Sequence, residues 1–326
     1  MYKFSPILDF SKVGQLSENM KKIFIDGSAG TTGLRIFDRL KKREDISLVI
    51  LPDDLRKDEN ARADAINSSD IVFLCLPDEA SRQAVGFVTN KNTAIIDTST
   101  AHRVSDGWAY GFPEIANRRK QIAHSQFIAN PGCHASGFIA LVEPLVSVGV
   151  IPHDTELHCF SLTGYSGGGK KMIAEYESDD SSQLLKAPRQ YGLAQHHKHL
   201  KEMQMISGID NAPAFCPIVA DFYSGMEVSV TLFKNEIKAN IDNIKEIYEN
   251  YYSNGLVHFC ETSDEDGFLS AAAFSGRDDM QISVFGNEDR ILLVSRYDNL
   301  GKGASGAAIQ NMNILMGIDE KTGLVF

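Results

Sequence analysis

Short apolar segments alternate with amphipathic helical segments along the first part of the chain. Residues 71–76 are apolar throughout, which is typical of a β-strand that is covered on both faces. The other strand-like segments are residues 22–26, 46–51, 94–97 and 126–129. Helical periodicity fits between them, as in residues 34–40 and 78–89. Strands that alternate with helices predict an α/β domain with a parallel, doubly wound, Rossmann-like sheet.

The pattern changes after about residue 130. A helix is predicted over residues 135–146, and Pro144 lies in its last turn, where a proline kinks a helix. The strand-like segments that follow are residues 156–162, 227–233, 281–285 and 290–295. A long helix is predicted over residues 239–254, and residues 303–316 are apolar at helical spacing. We therefore expect a second, α+β domain with a mixed or antiparallel sheet.

Charge and cysteine content narrow the class of protein. A net charge of −11 argues against a nucleic-acid or anionic-membrane partner, because both favour a basic surface. No apolar run reaches the length of a membrane span, and the N-terminal residues lack the pattern of a secretory signal. The five cysteines are scattered and include no C-x-x-C pair, so neither disulfides nor a zinc site are expected. These features predict a cytoplasmic protein with reduced thiols.

A glycine-rich turn separates the first strand from the first helix. It comprises Gly27, Ser28, Ala29, Gly30, Thr31, Thr32 and Gly33. A dinucleotide needs glycines here, because its pyrophosphate approaches the backbone closely and binds the free N–H groups of the helix N-terminus. An ordinary strand–helix turn is the alternative, but the position in the opening βαβ unit favours a nucleotide.

The end of the second strand carries charges of both signs. Asp53 and Asp54 are followed by Arg56 and Lys57. An acidic residue at this position selects NAD, whereas a basic residue accommodates the 2′-phosphate of NADP. Arg35, just inside the first helix, is a further candidate cation. The residues alone leave the choice of cofactor open.

Cys133 lies in the run Asn130-Pro131-Gly132-Cys133, where the last strand of the first domain meets the next helix. A thiol at a helix N-terminus has a lowered pKa and is therefore more reactive. A buried structural cysteine is the alternative, but Gly132 and the small residues after Cys133 leave room around the sulfur. Cys133 is thus a candidate nucleophile.

Two further segments carry candidate chemistry. Residues 195–202 contain His196, His197, His199 and Glu202, and one of these histidines could serve as the base and acid that acyl chemistry at a cysteine needs. A polar surface turn is the alternative, and the segment lacks the H-E-x-x-H arrangement of a zinc hydrolase. Residues 164–171 combine glycines with Lys170 and Lys171, which suits an anion cradle as well as a flexible hairpin turn.

Together these segments resemble the N-acetyl-γ-glutamyl-phosphate reductase family of arginine biosynthesis, in its shorter form. The matching runs are GSAGTTG (27–33), LCLPDEA (74–80), IDTSTAHR (96–103), YGFPEI (110–115), NPGCHASGF (130–138), GYSGGGKKMI (164–173), YGLAQHHKH (191–199) and NLGKGASGAAIQNMN (299–313). The resemblance covers nearly everything from residue 22 onward. NPGC together with GYSGGGK is specific, whereas the glycine turn alone is not.

The resemblance implies a fold and a domain organisation. The fold is a Rossmann-like domain followed by an α+β catalytic and dimerisation domain of the semialdehyde dehydrogenase and glyceraldehyde-3-phosphate dehydrogenase type. Residues 1–21 are then an extension, 22–132 the NADP-binding domain and 133–300 the catalytic domain. Residues 301–326 form a C-terminal helix that returns to the first domain. A homo-oligomer, dimer or tetramer, is implied as well.

The resemblance also implies an activity. NADPH reduces N-acetyl-L-glutamyl 5-phosphate to the 5-semialdehyde through a thioester on Cys133, with His197 as base and then acid, and no metal takes part. The implied substrate-binding residues are Arg103, Ser166, Lys170, Lys171, His199 and Glu202. The implied cofactor-binding residues are the glycine turn (residues 27–33), Arg35, Arg56, Pro77, Ser99, Gly167 and Asn299.

Three other functions compete with this interpretation. A related reductase of the same architecture would act on aspartyl phosphate or an aminoadipyl phosphate, but the STAHR and GYSGGGK runs favour the acetylglutamyl substrate. A regulatory nucleotide-binding relative without chemistry is disfavoured because Cys133 and His197 are both present. A metal hydrolase built on the histidine segment would bind zinc, and its ligand spacing is missing.

Overall fold

The computed structural model describes residues 20–326. Most of the expected N-terminal extension, residues 1–19, lies outside the described residues. The first sheet already begins at Lys21.

All neighbouring strands of the first sheet run parallel, in the order β2-β1-β3-β4-β6-β5. The strands are β1 (Lys21–Asp26), β2 (Ile46–Val49), β3 (Ile71–Leu74), β4 (Ala94–Asp97), β5 (Ala109–Tyr110) and β6 (Phe127–Ala129). The helices are α1 (Thr31–Leu40), α2 (Glu59–Asn67), α3 (Asp78–Gly86) and α4 (Arg118–His124). All four residues of β3 are buried, which matches the apolar pattern of a strand covered on both faces. The doubly wound domain predicted from the sequence is confirmed.

The second domain contains a seven-stranded mixed sheet of order β11-β12-β13-β10-β7-β9-β8, with parallel pairing at β11–β12 and β7–β9. Its strands are β7 (His158–Gly164), β8 (Arg189–Gln190), β9 (Ala214–Ala220), β10 (Met226–Phe233), β11 (Val257–Phe259), β12 (Met280–Gly286) and β13 (Arg290–Tyr297). Its helices are α5 (Cys133–Ser147), α6 (Gly169–Tyr176), α7 (Leu200–Ser207) and α8 (Ile241–Tyr251). Short 3₁₀ turns cover Tyr165–Gly168, Gln183–Lys186 and Lys234–Glu236. The predicted mixed α+β domain is confirmed.

The core of the second domain lies between one face of this sheet and helices α5 and α8. Alternate residues of β10, such as Val228 and Val230, point into this core, whereas the opposite face of the sheet carries Phe160, which is 45% exposed. A π-helix (Gly301–Ser305) then leads into α9 (Gly306–Met316), which packs on α4 and β4 of the first domain. Within residues 20–326, no helix is both long enough and apolar enough to span a bilayer.

Strand β9 was missed by the sequence pattern because Pro217 interrupts its apolar run, and proline argues against an inner strand. The backbone carbonyl oxygen of Pro217 accepts a hydrogen bond from the N–H of Tyr191 at 3.0 Å, and Tyr191 directly follows the edge strand β8. The helix predicted over residues 239–254 covers only Ile241–Tyr251. It begins at Ile241 because the Asn240 side chain caps it by accepting a hydrogen bond from the Asn243 N–H.

Candidate active site

The thiol of Cys133 lies at the first residue of α5, directly after β6 and the Asn130-Pro131-Gly132 turn. It lines a cavity of about 310 Å³ between the two domains. Further lining residues come, among other segments, from the N-terminus of α1, the Gly164–Gly169 turn, the histidine segment and the π-helix. Gly303 of the π-helix is so close that a Cβ on it would lie 3.1 Å from the Cβ of Cys133. The candidate nucleophile therefore lies where both domains meet.

The pKa of Cys133 corrects an expectation from the sequence. Burial raises the pKa above its ordinary value of 9.0, although the N–H of His134 and the charges of Arg103 and Lys198 oppose that rise. The helix N-terminus therefore does not suffice to lower the pKa, because desolvation of a buried thiolate outweighs it. The resting thiol is protonated at neutral pH and needs a base.

Three histidines line the same cavity, and burial lowers the pKa of each. His134 is held by Ser161 Oγ at 2.6 Å and Tyr191 OH at 2.7 Å, and its pKa falls to about 3. His199 is 3% exposed, and within residues 20–326 its Nδ1 has no hydrogen-bond partner. All three rings are neutral at neutral pH.

His197 is the half-buried member of this group. Its Nδ1 accepts a hydrogen bond from the backbone N–H of His199 at 3.3 Å, which leaves the proton of the neutral ring on Nε2. This bond is long and weak, so it opposes protonation of the ring only slightly. His196, the remaining histidine of the segment, is exposed and does not line the cavity.

Glu202 has a different position from the one expected of a substrate-binding residue. It is 2% exposed and does not line the cavity. Its carboxylate accepts hydrogen bonds from Arg103 at 3.1 Å, Tyr110 OH at 2.7 Å and the Gly132 N–H at 2.8 Å. Glu202 therefore holds the backbone beside Cys133 and leaves substrate contact to others.

The glycine and lysine segment of residues 164–171 is neither a hairpin nor a single cradle. It forms a 3₁₀ turn and the first turn of α6. Ser166, Gly167 and Asn299 line the catalytic cavity, and Asn299 Nδ2 donates to Ser166 Oγ at 3.0 Å. Lys170, expected to contact substrate, lines a second cavity instead, and Lys171 lines neither of the two.

The second cavity, of about 660 Å³, is lined by Gly27, Ser28 and Ala29 and by the ends of β1 and β2. Gly27 has a φ of +85°, and a Cβ on it would lie 2.4 Å from the carbonyl oxygen of Cys75. A Cβ on Gly33 would lie 2.4 Å from the carbonyl oxygen of Gly27. Only glycine fits at either position, so the turn has the tight form that a dinucleotide pyrophosphate requires.

The glycine turn lies between the two cavities, because Thr31 and Thr32 line the catalytic cavity. Gly30 and Gly33 shape the turn without lining either cavity. Three other expected cofactor residues line neither cavity. Arg35 faces Asp298 at 3.9 Å, Pro77 precedes α3 as its N-cap, and Ser99 is buried with its hydroxyl on Asp97.

The charges around the second cavity fit a 2′-phosphate. Arg56 and Lys57 line it at the end of β2. Asp53 pairs with Arg56 at 2.7 Å and is not part of the lining, whereas Asp26 is neutralised by Arg62 at 2.9 Å. The residues present therefore suit NADP(H) better than NAD(H), which needs a free carboxylate at this strand end.

Tyr191 and Lys198 are among the residues that line the catalytic cavity and that the sequence reasoning had not assigned to the site. Both belong to the YGLAQHHKH run, so their position beside the histidines was the available signal. Among residues 20–326, no group of three or more His, Cys, Asp or Glu side chains is arranged to hold a metal ion.

Comparison with known proteins identifies the family. The chain is 44% identical to N-acetyl-gamma-glutamyl-phosphate reductase 2 of Nostoc sp., over 94% of this chain and 100% of the relative. It is also 44% identical to N-acetyl-gamma-glutamyl-phosphate reductase of Brucella ovis, over 91% of this chain and 99% of the relative. The chain belongs to the N-acetyl-gamma-glutamyl-phosphate reductase family. The resemblance found in the sequence motifs is thereby confirmed.

Domain models and solved structures place this reductase in a wider fold family. Residues 51–125 match the semialdehyde dehydrogenase NAD binding domain, and residues 133–299 match the semialdehyde dehydrogenase dimerisation domain. Aspartate semialdehyde dehydrogenase II of Vibrio cholerae has a TM-score of 0.70 at 16% identity, covering 91% of this chain and 98% of that one. Aspartate semialdehyde dehydrogenase of Candida albicans, solved with NADP, has a TM-score of 0.64 at 14% identity, covering 91% and 99%. At such identities these structures establish the fold alone, and they confirm the predicted fold class.

Proposed function

We propose that the chain catalyses the NADPH-dependent reduction of N-acetyl-L-glutamyl 5-phosphate to N-acetyl-L-glutamate 5-semialdehyde and phosphate, in arginine biosynthesis. One observation carries the proposal. Cys133, His197 and Arg103 line a single cavity between the domains, and the glycine turn forms part of its wall. The names of the curated relatives support this substrate.

NADPH supplies the hydride when it is bound. We assign its pyrophosphate to Gly27, Ser28 and Ala29 at the N-terminus of α1, and its 2′-phosphate to Arg56. Asn299 and Gly167, which line the catalytic cavity, complete the site on the side of the nucleophile. The cleft between the domains thus brings a donor and an acceptor of hydride together and restricts the access of water.

Cys133 attacks the acyl carbon of the substrate. Because burial raises the pKa of this thiol, His197 takes the proton on Nδ1 as the sulfur–carbon bond forms, and the weak hydrogen bond from the His199 N–H is given up. The bond from carbon to the phosphate oxygen then breaks, its electron pair leaves with phosphate, and a thioester remains on Cys133. The raised pKa also keeps the resting thiol from reacting with other electrophiles.

Reduction of the thioester creates negative charge on its oxygen. The protonated His197 donates to this oxygen, and the thiohemiacetal collapses to the aldehyde and the free thiol. His134 is locked between Ser161 and Tyr191 and its pKa is about 3, so it is the weaker candidate for this proton transfer.

Phosphate-dependent reduction of NADP by N-acetylglutamate 5-semialdehyde tests the activity in the reverse direction. Aspartate 4-semialdehyde is the comparator, and a preference for it would contradict the proposed substrate. Cys133→Ser is expected to abolish turnover while the dissociation constant of NADPH stays unchanged. Substantial turnover in this variant would refute the role of Cys133.

We also propose that the enzyme is a cytoplasmic homo-oligomer that associates through the uncovered face of the second sheet. The second domain matches a dimerisation domain, and Phe160 on the inner strand β7 is 45% exposed on that face. Apolar side chains on an uncovered sheet face are typical of a subunit interface. Sedimentation equilibrium should show at least two chains per particle, and Phe160→Glu should shift the enzyme toward a monomer. A monomeric wild-type enzyme would contradict this proposal.

A further inference from the structure

Within residues 20–326, the lysine and arginine side chains that line the catalytic cavity are Arg103 and Lys198. The substrate carries a phosphoryl group and a carboxylate, so the distribution of positive charge around Cys133 decides how it binds. Arg103 already uses its charge within the protein. It is 9% exposed, and its guanidinium donates to Glu202 at 3.1 Å and to the carbonyl oxygen of Asn130 at 3.0 Å. Glu202 therefore neutralises Arg103 before substrate arrives.

Lys198 has no such partner. Within residues 20–326, the lysines that pair with a carboxylate are Lys21, Lys41, Lys186, Lys245 and Lys302. The carboxylate of Asp78 feels the charge of Lys198, but it binds the N–H of Thr100 at 2.9 Å. Among the described residues that line the cavity, the ammonium of Lys198 is therefore the cation without an ion pair.

The backbone that carries Lys198 is well ordered by hydrogen bonds. The N–H of His199 donates to His197 Nδ1 at 3.3 Å, and the N–H of Leu200 donates to the carbonyl oxygen of His197 at 3.0 Å. Helix α7 begins at the next residue after this turn, at Leu200. Lys198 is thus held on a turn between two cavity-lining histidines, while its long side chain remains free to follow a ligand.

We propose that Lys198 binds the phosphoryl group of the acyl phosphate and stabilises the phosphate as it leaves. The inference rests on the proposed function. The phosphoryl oxygen is bonded to the carbon that Cys133 attacks, whereas the substrate carboxylate lies at the far end of the carbon chain. A cation that lies near the sulfur therefore meets the phosphoryl group first. The charge of Lys198 lowers the pKa of Cys133, His197 and His199 together, which supports its closeness to all three.

The role of Lys198 follows from the movement of charge in the acylation step. As the bond between sulfur and carbon forms, the bond between carbon and the bridging oxygen breaks, and its electron pair goes to phosphate. The developing negative charge on that oxygen receives an N–H bond from the ammonium, which keeps its proton throughout. In the reverse direction the same contact binds inorganic phosphate before its oxygen attacks the thioester and expels the Cys133 thiolate.

The test measures two Michaelis constants in the reverse reaction, one for inorganic phosphate and one for N-acetylglutamate 5-semialdehyde. Lys198→Gln should raise the KM for phosphate by about tenfold to a hundredfold, as expected for the loss of one charge-assisted hydrogen bond. The KM for the semialdehyde, which carries the carboxylate, should stay within about twofold of wild type. Lys198→Arg should restore most of the phosphate affinity, because it keeps the charge.

Lys201→Gln is the matched control, since Lys201 is exposed on α7 and does not line the cavity. It should leave both Michaelis constants unchanged. An unchanged KM for phosphate in Lys198→Gln, or a rise confined to the semialdehyde, would overturn the inference. A wild-type enzyme that reduces no NADP with semialdehyde and phosphate would overturn the proposed function itself, and the inference with it.

Discussion

The carboxylate of Glu202 accepts a hydrogen bond from the backbone N–H of Gly132 at 2.8 Å, and Gly132 directly precedes the candidate nucleophile Cys133. The same carboxylate accepts hydrogen bonds from the guanidinium of Arg103 at 3.1 Å and from the hydroxyl of Tyr110 at 2.7 Å. A single buried side chain on α7 thus joins the turn before α5 to an arginine of the first domain. Because three donors share it, its charge sets both the position and the electrostatics of Cys133.

Glu202→Gln should lower the pKa of Cys133. The negative charge of Glu202 raises that pKa and Arg103 lowers it, so removal of the carboxylate charge leaves the arginine unopposed. Stability should fall by about 3 kcal/mol, because a buried ion pair loses one partner. The pH dependence of iodoacetamide alkylation measures the pKa, and urea unfolding measures the stability. Glu249→Gln, on the exposed part of α8, is the control, and an alkylation midpoint at or above that of wild type would contradict the argument.

His197→Asn should reduce kcat by about a hundredfold or more, as expected for the loss of a general acid and base. Burial and the charge of Lys198 lower the pKa of His197 below 6.5, so its basic form predominates at neutral pH. The acidic limb of kcat/KM should therefore lie below pH 6.5, and Lys198→Gln should move it to higher pH by removing a neighbouring cation.

Two other histidine variants sharpen this assignment. His196→Asn, at an exposed position, should leave the pH profile unchanged. His199→Asn should weaken substrate binding and keep the acidic limb. If the acidic limb of the kcat/KM profile disappears in His199→Asn and persists in His197→Asn, then His199 is the acid and base in place of His197.

Arg56→Ser should raise the KM for NADPH by about tenfold or more and leave the KM for NADH nearly unchanged. The arginine lines the cofactor cavity at the end of β2, where the 2′-phosphate distinguishes the two cofactors. Steady-state rates with each cofactor provide the measurement. Arg290→Ser on the exposed start of β13 is the control, and equal changes for both cofactors would show that Arg56 does not select the phosphate.

Lys302→Met should destabilise the protein by about 3–5 kcal/mol, because it leaves the buried carboxylate of Glu114 without its cation. Lys302 Nζ lies 2.8 Å from both oxygens of Glu114, and the pair is 0–1% exposed. The double variant Glu114→Leu with Lys302→Met should recover much of that loss in urea unfolding. A double variant no more stable than Lys302→Met would contradict the pairing argument.

The same pair predicts a dependence of stability on pH. Burial is the largest influence on the pKa of Glu114 and raises it, but the charge of Lys302 and the hydrogen bonds from Lys302 and Gln310 together lower the pKa below its ordinary value of 4.5. A depressed carboxyl pKa stabilises the folded state above the unfolded pKa. The Glu114 carboxylate therefore contributes fully to the free energy of unfolding above about pH 5, and this contribution is lost as pH falls through the folded pKa. Measurements of the unfolding free energy at decreasing pH should show no such loss in Glu114→Gln.

Local sequence determined the two domain types, the strand–helix alternation and the position of Cys133 at a helix start. Periodicity and glycine placement depend on neighbouring residues, so they can be read along the chain. Strand β9 and the short helices around the site could not be predicted in this way, because Pro217 and the glycines of residues 164–169 are locally unfavourable and their conformations depend on tertiary packing.

Only the tertiary structure decided which charges act on the sulfur. Arg103 and Glu202 are 99 residues apart, and their contact neutralises a cation that the sequence had suggested for substrate. Lys198 differs because, within residues 20–326, the carboxylates that pair with lysines belong to other lysines, and none forms an ion pair with its ammonium. The pKa of Cys133 likewise depends on burial between two domains, which no local pattern reports. Sequence thus indicated the candidate reacting group, and long-range packing determined its protonation and left Lys198 as the proposed partner for the leaving phosphate.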